Sequence, residues 1–245
     1  MISFAPIETP PWRVVPVAGG VRVHVVDADV PALRGSDAEA WDEAQRANSN
    51  LFDGPILSLV GIEATSALCH LTVQRDRYAR FALQPAIHFG VRLFSVTALV
   101  IRPDARGQTG VLCLRRGERV HSYPDLWEFG PSGGVACPEA GVMELSAADL
   151  RASVAAEIQE ECGLAVPDSC MSGPVALLHD DAALSTDVVM TVSLAAGQID
   201  DPVLHLNWEN AGARWISLGD LANIRDQELR TFAPPTVALI RSMIA

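Results

Sequence analysis

Residues 156–164 read AEIQEECGL and lie C-terminal to a Gly133-Gly134 pair, and this stretch decides the reading of the chain. Glu157, Glu160 and Glu161 fall at i, i+3 and i+4, positions that share one face of a helix. No lysine or arginine follows in the adjacent turns to offset them. With Gly163 as the stop residue, Glu160 and Glu161 occupy the last turn, where the helix dipole disfavours negative charge by about 0.3–1 kcal/mol each. Like-charge repulsion at this spacing adds about 0.2–0.5 kcal/mol. A hard divalent cation would resolve the conflict, because Mg2+ takes carboxylate oxygens. The plain alternative is an acidic helix end solvated at the surface.

Upstream, Ser146 with Asp149 is a capping signal for a helix from about Ala147 to Cys162, whose buried stripe is Leu150, Val154 and Ile158. Strand-like runs surround it: Phe94–Ile101, Val111–Leu114, Trp127–Phe129, Val175–Leu178, Val188–Leu194 and Ala213–Leu218. A last helix is expected over Thr236–Ile244, after Pro234-Pro235. Strands interleaved with helices in this way predict helices packed on a sheet, an α/β or α+β sandwich.

The first third reads as a small α+β module. Val14 to Val26 suggests two strands joined at Gly19-Gly20 as a hairpin. Ser36 followed by Glu39 suggests a capping box opening a helix to about Ala47. The turn cluster NSNLFDGP precedes apolar runs at Ile56–Ile62 and Leu68–Val73, and a short helical segment spans Arg75–Leu83. The expected division is therefore residues 1–92 as an N-terminal extension and 93–245 as the main domain.

Composition narrows the function. Thirty acidic residues against eighteen basic ones give a net charge of −12, which argues against nucleic acid or an anionic membrane as partner. An anionic substrate would make metal ions more necessary. The five cysteines are odd in number and lack CxxC spacing, as expected of reduced thiols in a cytoplasmic protein. The opening MISFAPIETPPW has no signal-peptide pattern, and no apolar run of about 18 residues suggests a membrane span.

The stretch WEFGPSGG … AEIQEECGL resembles the Nudix hydrolase signature: Gly, five residues, Glu, seven residues, then Arg-Glu-aliphatic-x-Glu-Glu-x-Gly-aliphatic. Glu157, Ile158, Glu160, Glu161, Gly163 and Leu164 match its second half in register. Ala156 stands where the signature has arginine, and 22 residues separate Gly134 from Glu157 where the family has fourteen. The first signature glutamate is left open between Glu139 and Glu144. FSVTALVIR, VLCLRRG and YPDLWEFGPSGG are similar to the strands that precede the box in Nudix domains, and WENAGARWISLGDL to a later strand. AWDEAQRANSNLFDGPILSL, RDRYARF and the stretched box resemble the UDP-sugar diphosphatase branch of that family. The resemblance implies a Nudix-type α/β/α sandwich with a mixed sheet. It also implies Mg2+- or Mn2+-dependent cleavage of UDP-glucose or UDP-galactose into UMP and a sugar 1-phosphate, and it allows a homodimer. Other Nudix substrates (ADP-ribose, a dinucleotide polyphosphate, a coenzyme A ester) and a non-catalytic nucleotide-sugar-binding module stand as alternatives.

On that reading Glu157, Glu160 and Glu161 hold the metal, with the Gly134 carbonyl allowed close by the glycine turn. Glu209 is a fourth ligand or the general base, or else a surface residue beside a packed tryptophan. Arg115 and Arg116 would grip phosphate or replace the arginine missing at Ala156; exposed strand-end charges are the alternative. Tyr123, Trp127 and Phe52 are candidate stacking partners for a uracil ring, against the ordinary fate of a strand aromatic in the core. Asp53 in LFDGP reads as a turn former. His70, His88, His121, His179 and His205 show no ligand spacing and are expected in loops or at the surface.

Overall fold

The computed structural model describes residues 2–30, 32–64, 68–103, 107–195 and 204–244. Its strands are β1 (Ile7–Thr9), β2 (Trp12–Pro16), β3 (Gly20–Val26), β4 (Pro55–Ala64), β5 (Leu68–Arg77), β6 (Leu93–Pro103), β7 (Thr109–Arg116), β8 (Trp127–Phe129), β9 (Ser132–Gly134), β10 (Glu144–Leu145), β11 (Met171–Asp180), β12 (Ser185–Ser193) and β13 (Asn210–Ser217). The helices are α1 (Ser36–Ala47), α2 (Tyr78–Ala82), α3 (Ala147–Cys162), α4 (Leu218–Ala222), α5 (Asp226–Leu229) and α6 (Pro234–Ile244).

β6 is the hub of a mixed sheet. It pairs in parallel with β12 and antiparallel with β4, β7 and β9 at successive points along its length. Phe94 through Val100 are all buried, as a strand covered on both faces requires. Successive side chains point to opposite faces, so Phe94, Val96 and Ala98 meet one helix layer and Leu99 the other. On the first face they pack with Leu150, Val154, Ile158 and Cys162 of α3. On the second, Leu99 and Val189 pack with Ala238, Leu239 and Ile240 of α6. The architecture is mixed α+β, with helices on both faces of a large sheet.

The strands before residue 93 continue this sheet. β1 and β2 add to the β11 edge, while β4, β5, β3 and β10 extend the other side. Val21, Val23, Val25, Leu57 and Leu71 share the buried cluster beneath α3. Helix α1 contributes Trp41 to a smaller cluster with Ala79 and Leu83.

Three local expectations fail, the first being the extent of the short helix: Arg75–Arg77 belong to β5, and α2 spans only Tyr78–Ala82. The hairpin at Gly19-Gly20 is absent: β2 pairs with β1 and β11, whereas β3 lies parallel to β5 and antiparallel to β10. Neither glycine has a positive φ, which the favoured two-residue hairpin turns need. Helix α1 starts one residue earlier than the capping box implied, with Gly35 at the cap (φ 55°) and no side-chain cap bond. By contrast α3 opens as read. The Ser146 hydroxyl accepts from Asp149 N–H, and the Asp149 carboxylate accepts from Ser146 N–H at 2.7 Å. Gly163 ends it in the left-handed region at φ 67°.

The long loop between β9 and α3 is tied to the N-terminal strands. Arg75 on β5 donates to the carbonyls of Pro138 and Glu139 and pairs with Asp27 at 3.1 Å. Glu144 lies opposite His24 in the β10–β3 pair. Both candidates for the first signature glutamate are thereby placed in this loop, exposed and apart from the cleft described next. No helix among the described residues is long and apolar enough to cross a membrane.

Candidate functional site

Pairing of β9 with β6 places Gly133 opposite Val96 and Gly134 opposite Ser95. Helix α3 crosses above this edge, and the Glu157 carboxylate lies directly against Gly133. A Cβ at position 133 would sit 2.2 Å from Glu157 Cδ and 2.3 Å from both its oxygens. Only glycine leaves that space.

Beside it opens a cleft of about 390 Å3, a size within the ordinary range of small-molecule sites. Glu157, Glu160, Glu209, Gly133 and Gly134 line it together. Glu161 does not share their orientation. It is 2 % exposed and turns inward, accepting from Ser132 N–H at 3.2 Å and from Asn210 Nδ2 at 2.6 Å. The acidic helix face therefore divides into two carboxylates toward the cleft and one held beneath it.

The electrostatics record this crowding. Burial, then Glu160 and Glu209, push the Glu157 carboxyl up to about 7. Burial also raises Glu161 well above the usual range, with Glu128, Glu157 and Glu209 adding to it. Glu209 is raised by burial and by Glu160. Taking carboxylates out of water and placing them side by side disfavours the charged form, an effect that a cation offsets.

Two arginines, Arg116 and Arg119, line the cleft. Arg116 of β7 lines the cleft, donating to Glu128 on the neighbouring strand and to the Ser122 carbonyl at 2.7 Å. Glu161 and Glu209 also feel its charge. Arg115, one residue earlier, projects to the other side of the strand and pairs with Asp125 at 3.1 Å, outside the cleft. The alternation of a β-strand separates the two arginines that the sequence presented as equivalents.

Of the three candidate stacking residues, Phe52 and Tyr123 reach the cleft, which Tyr78 and Phe81 also line. Phe52 is 77 % exposed at its mouth, and Tyr123 donates its hydroxyl to Asp180 Oδ2 at 2.7 Å. Trp127 is instead part of the α6-side core, under the Arg214 guanidinium at 4.1 Å. Of the two tryptophans near Glu209, Trp208 is 48 % exposed and lines the cleft, whereas Trp215 packs against the α3-side core. Asp53 acts as the turn former expected, accepting from Ala79 N–H at 3.1 Å and pairing with Arg77. His179 departs from its surface expectation. It is buried on β11 with Nδ1 3.0 Å from Thr186 Oγ1, and burial pushes it down to about 4.

Glu128, Asp180, Asp187 and Ser95 also line the cleft and were not singled out from the sequence. A signal existed for two of them. Glu128 lies between Trp127 and Phe129, and Asp187 directly precedes the apolar Val188-Val189-Met190, where a buried strand has no packing use for charge.

Among the described residues, no three His, Cys, Asp or Glu side chains are drawn together as a ready-made metal cage. The donors do fit Mg2+ or Mn2+ chemically: they are carboxylate oxygens, hard ligands crowded into a cleft where Glu160 and Glu209 raise the proton affinity of Glu157 and Glu160 raises that of Glu209. Gly133 supplies the space in which the Glu157 carboxylate rests.

No family model matches the sequence, and no curated protein matches it. Among solved structures, the chain is similar to the MutT protein of Methanosarcina mazei at 20 % identity, over 61 % of this chain and 91 % of that one, with a TM-score of 0.43. It is similar at 19 % identity to the NUDIX domain of Shewanella oneidensis NrtR, solved with ADP ribose, over 65 % of this chain and 89 % of that one, with a TM-score of 0.42. A Deinococcus radiodurans protein matches at 16 % identity, over 78 % of this chain and all of the other, with a TM-score of 0.49.

Proposed function

We propose that the chain is a Nudix hydrolase that uses Mg2+ or Mn2+ to cleave the diphosphate of a nucleoside diphosphate sugar, UDP-glucose or UDP-galactose in the first instance. Residues 93–245 form the catalytic unit on this reading, and 1–92 the extension built onto its sheet. The observation that carries it is the Glu157 carboxylate seated on Gly133, in one cleft with Glu160, Glu209 and Arg116.

Glu157 and Glu160, with Glu161 and the Gly134 carbonyl, are the groups that would hold the cation. When bound, it neutralises charge on the diphosphate oxygens. Glu209 is the general base. Its raised proton affinity suits it to take a proton from the attacking water at neutral pH. Water oxygen bonds to phosphorus, the bridging P–O bond breaks, and the leaving phosphate carries the bridging oxygen away. For UDP-glucose the products are UMP and glucose 1-phosphate. Arg116 serves as the arginine missing at Ala156, from β7 rather than from the helix. It holds Glu128 and partly offsets Glu161 and Glu209. Phe52, with Trp208, is the stacking surface for the base, and Tyr123 bounds the cleft near Asp180. On this reading the partner is the small-molecule substrate, with neither nucleic acid nor membrane involved, and we place the reaction in the cytoplasm.

The test is incubation with UDP-glucose, ADP-ribose, a dinucleotide polyphosphate and a coenzyme A ester, with and without Mg2+, and chromatography of the products. Metal-dependent UMP and sugar 1-phosphate are expected; cleavage of only another substrate would redirect the assignment. One observation favours a non-catalytic binder, namely that Glu161 is committed to Ser132 and Asn210. Glu161→Gln discriminates: a catalyst loses turnover by orders of magnitude, whereas a binder keeps its affinity.

A further inference from the structure

The beginning of β6 and the beginning of β12 carry polar groups that packing does not demand. Ser95 and Thr97 occupy the face of β6 that continues as Leu99 and Ile101, and Asp187 the face of β12 that continues as Val189. Farther along, those positions pack against α6. At the start they are serine, threonine and aspartate, with Ser95 and Thr97 4 % and 3 % exposed. Buried polar groups cost free energy where valine would not, so the substitution of apolar by polar residues here calls for a role.

Their arrangement points to one. Both hydroxyls donate to Asp187, Ser95 to Oδ1 and Thr97 to Oδ2 at 2.9 Å. A carboxylate has about four acceptor positions, so two remain, and Asp187 lines the cleft. The charges that bear on it are those of Asp180 and Arg116. Ser95 is the partner of Asp187 on one side and of Gly134 on the other, so the three residues lie in a row across β12, β6 and β9. At about 4.8 Å per strand, Asp187 stands about 10 Å from the glycine edge. That is the reach from a phosphate at the glycine edge to the far hydroxyls of a hexose attached to it.

We propose that Asp187, oriented by Ser95 and Thr97, is a specificity-determining residue that accepts hydrogen bonds from hydroxyl groups of the sugar attached to the diphosphate. This rests on the nucleotide-sugar reading above and assigns the sugar end of that substrate. It gives the cleft a division of labour: Phe52 and Trp208 at the mouth for a flat ring, the α3 edge for the diphosphate, and the β6–β12 wall for a polyhydroxylated group.

The experiment is calorimetric binding of UDP-glucose and of UDP in Mg2+ buffer, each with a methylene group bridging the two phosphorus atoms so that no hydrolysis confuses the readout. Wild type, Asp187→Asn and Ser95→Ala are compared, each with its thermal midpoint as a folding control. Wild type should bind UDP-glucose more tightly than UDP. Asp187→Asn should weaken UDP-glucose by about 10- to 100-fold and leave UDP within about twofold, since a hydrogen bond to a charged acceptor is lost from one ligand only. Ser95→Ala should shift the same ratio in the same direction. Monodeoxy analogues of the hexose provide a version that needs no variant: one hydroxyl position should carry most of the loss in wild type. Equal weakening of both ligands, no change in either, or a wild type that binds UDP-glucose no better than UDP would overturn the assignment. Tight, Asp187-dependent binding without any metal-dependent cleavage would instead sink the hydrolase reading and leave this inference standing.

Discussion

Replacing Gly133 by alanine tests the site at its narrowest point. The new Cβ would stand 2.2 Å from Glu157 Cδ, whereas ordinary contact begins near 3.4 Å, so the carboxylate has to retreat by about 1.2 Å. The atoms in the way belong to the far end of a flexible side chain and not to backbone, so the fold can accommodate the methyl group. An off-rotamer glutamate costs about 0.5–1.5 kcal/mol, which lowers the thermal midpoint by about 1–6 °C in a chain of this size. Catalysis should suffer far more, because a 1 Å misplacement of a group that positions charge can cost about 100-fold in rate. Gly133→Ala is therefore expected to fold, to melt within a few degrees of wild type, and to hydrolyse UDP-glucose about two orders of magnitude more slowly. In Glu157→Ala the same glycine change should add almost nothing, since the group it displaces is gone. Steady-state kinetics with Mg2+ on the two single variants and the double variant supply the cycle. Wild-type turnover in Gly133→Ala, or a full additional loss in the double variant, would refute the placement of Glu157 in the reaction.

The remaining predictions concern charge and stacking. Because Glu157 has a folded pKa of about 7 against an ordinary 4.5, the native state binds more protons than the unfolded chain between those values. Its stability is thus full below about pH 4.5 and falls as pH rises through 7, by up to about 2–3 kcal/mol after allowance for screening. Thermal melts of metal-free protein from pH 5 to 8 should show the decline, and added Mg2+ should recover it at pH 8. Arg116→Ala strands the Glu128 carboxylate, 12 % exposed, without its partner and should cost about 3–5 kcal/mol in urea unfolding. Arg115→Ala removes only a pair about half exposed on both sides (47 % and 49 %) and should change stability by less than about 0.5 kcal/mol. Removing the exposed rings together, Phe52→Ala with Trp208→Ala, should raise KM for UDP-glucose about tenfold or more with kcat little changed, and steady-state kinetics will show whether it does.

What the sequence revealed divides along the line between local and non-local causes. Helix α3 was legible because its determinants sit within it: the Ser146–Asp149 box, the Leu150–Val154–Ile158 stripe and the Gly163 stop. The Gly19-Gly20 hairpin was misread because the partner of β3 is β5, about fifty residues away, and nothing near the glycines announces that pairing. The same distinction runs through the site. Spacing alone put three carboxylates on one helix face, yet the inward turn of Glu161 is decided by Ser132 and Asn210, which arrive on β9 and β13. Arg115 and Arg116 looked interchangeable until strand register gave one to solvent and one to the cleft.

Some of the missing half was nonetheless written in the chain, under a rule about cost. A strand buried on both faces has no packing reason to hold a charge, so an acid within an apolar run must be paired, hydrogen-bonded or used. Glu128 meets that demand through Arg116, and Asp187 through Ser95 and Thr97. Both acids lie in the cleft that also holds Glu157 and Glu160. If residues 156–164 act as the proposed metal-binding box, Ala156 leaves its carboxylates without a positive charge from the helix, and that charge has to come from elsewhere in the fold. Arg116, at the end of β7 and already engaged with Glu128, is the side chain whose strand position and charge meet that need. The long loop before α3 is not needed for these contacts, which come from β7, β9 and β13.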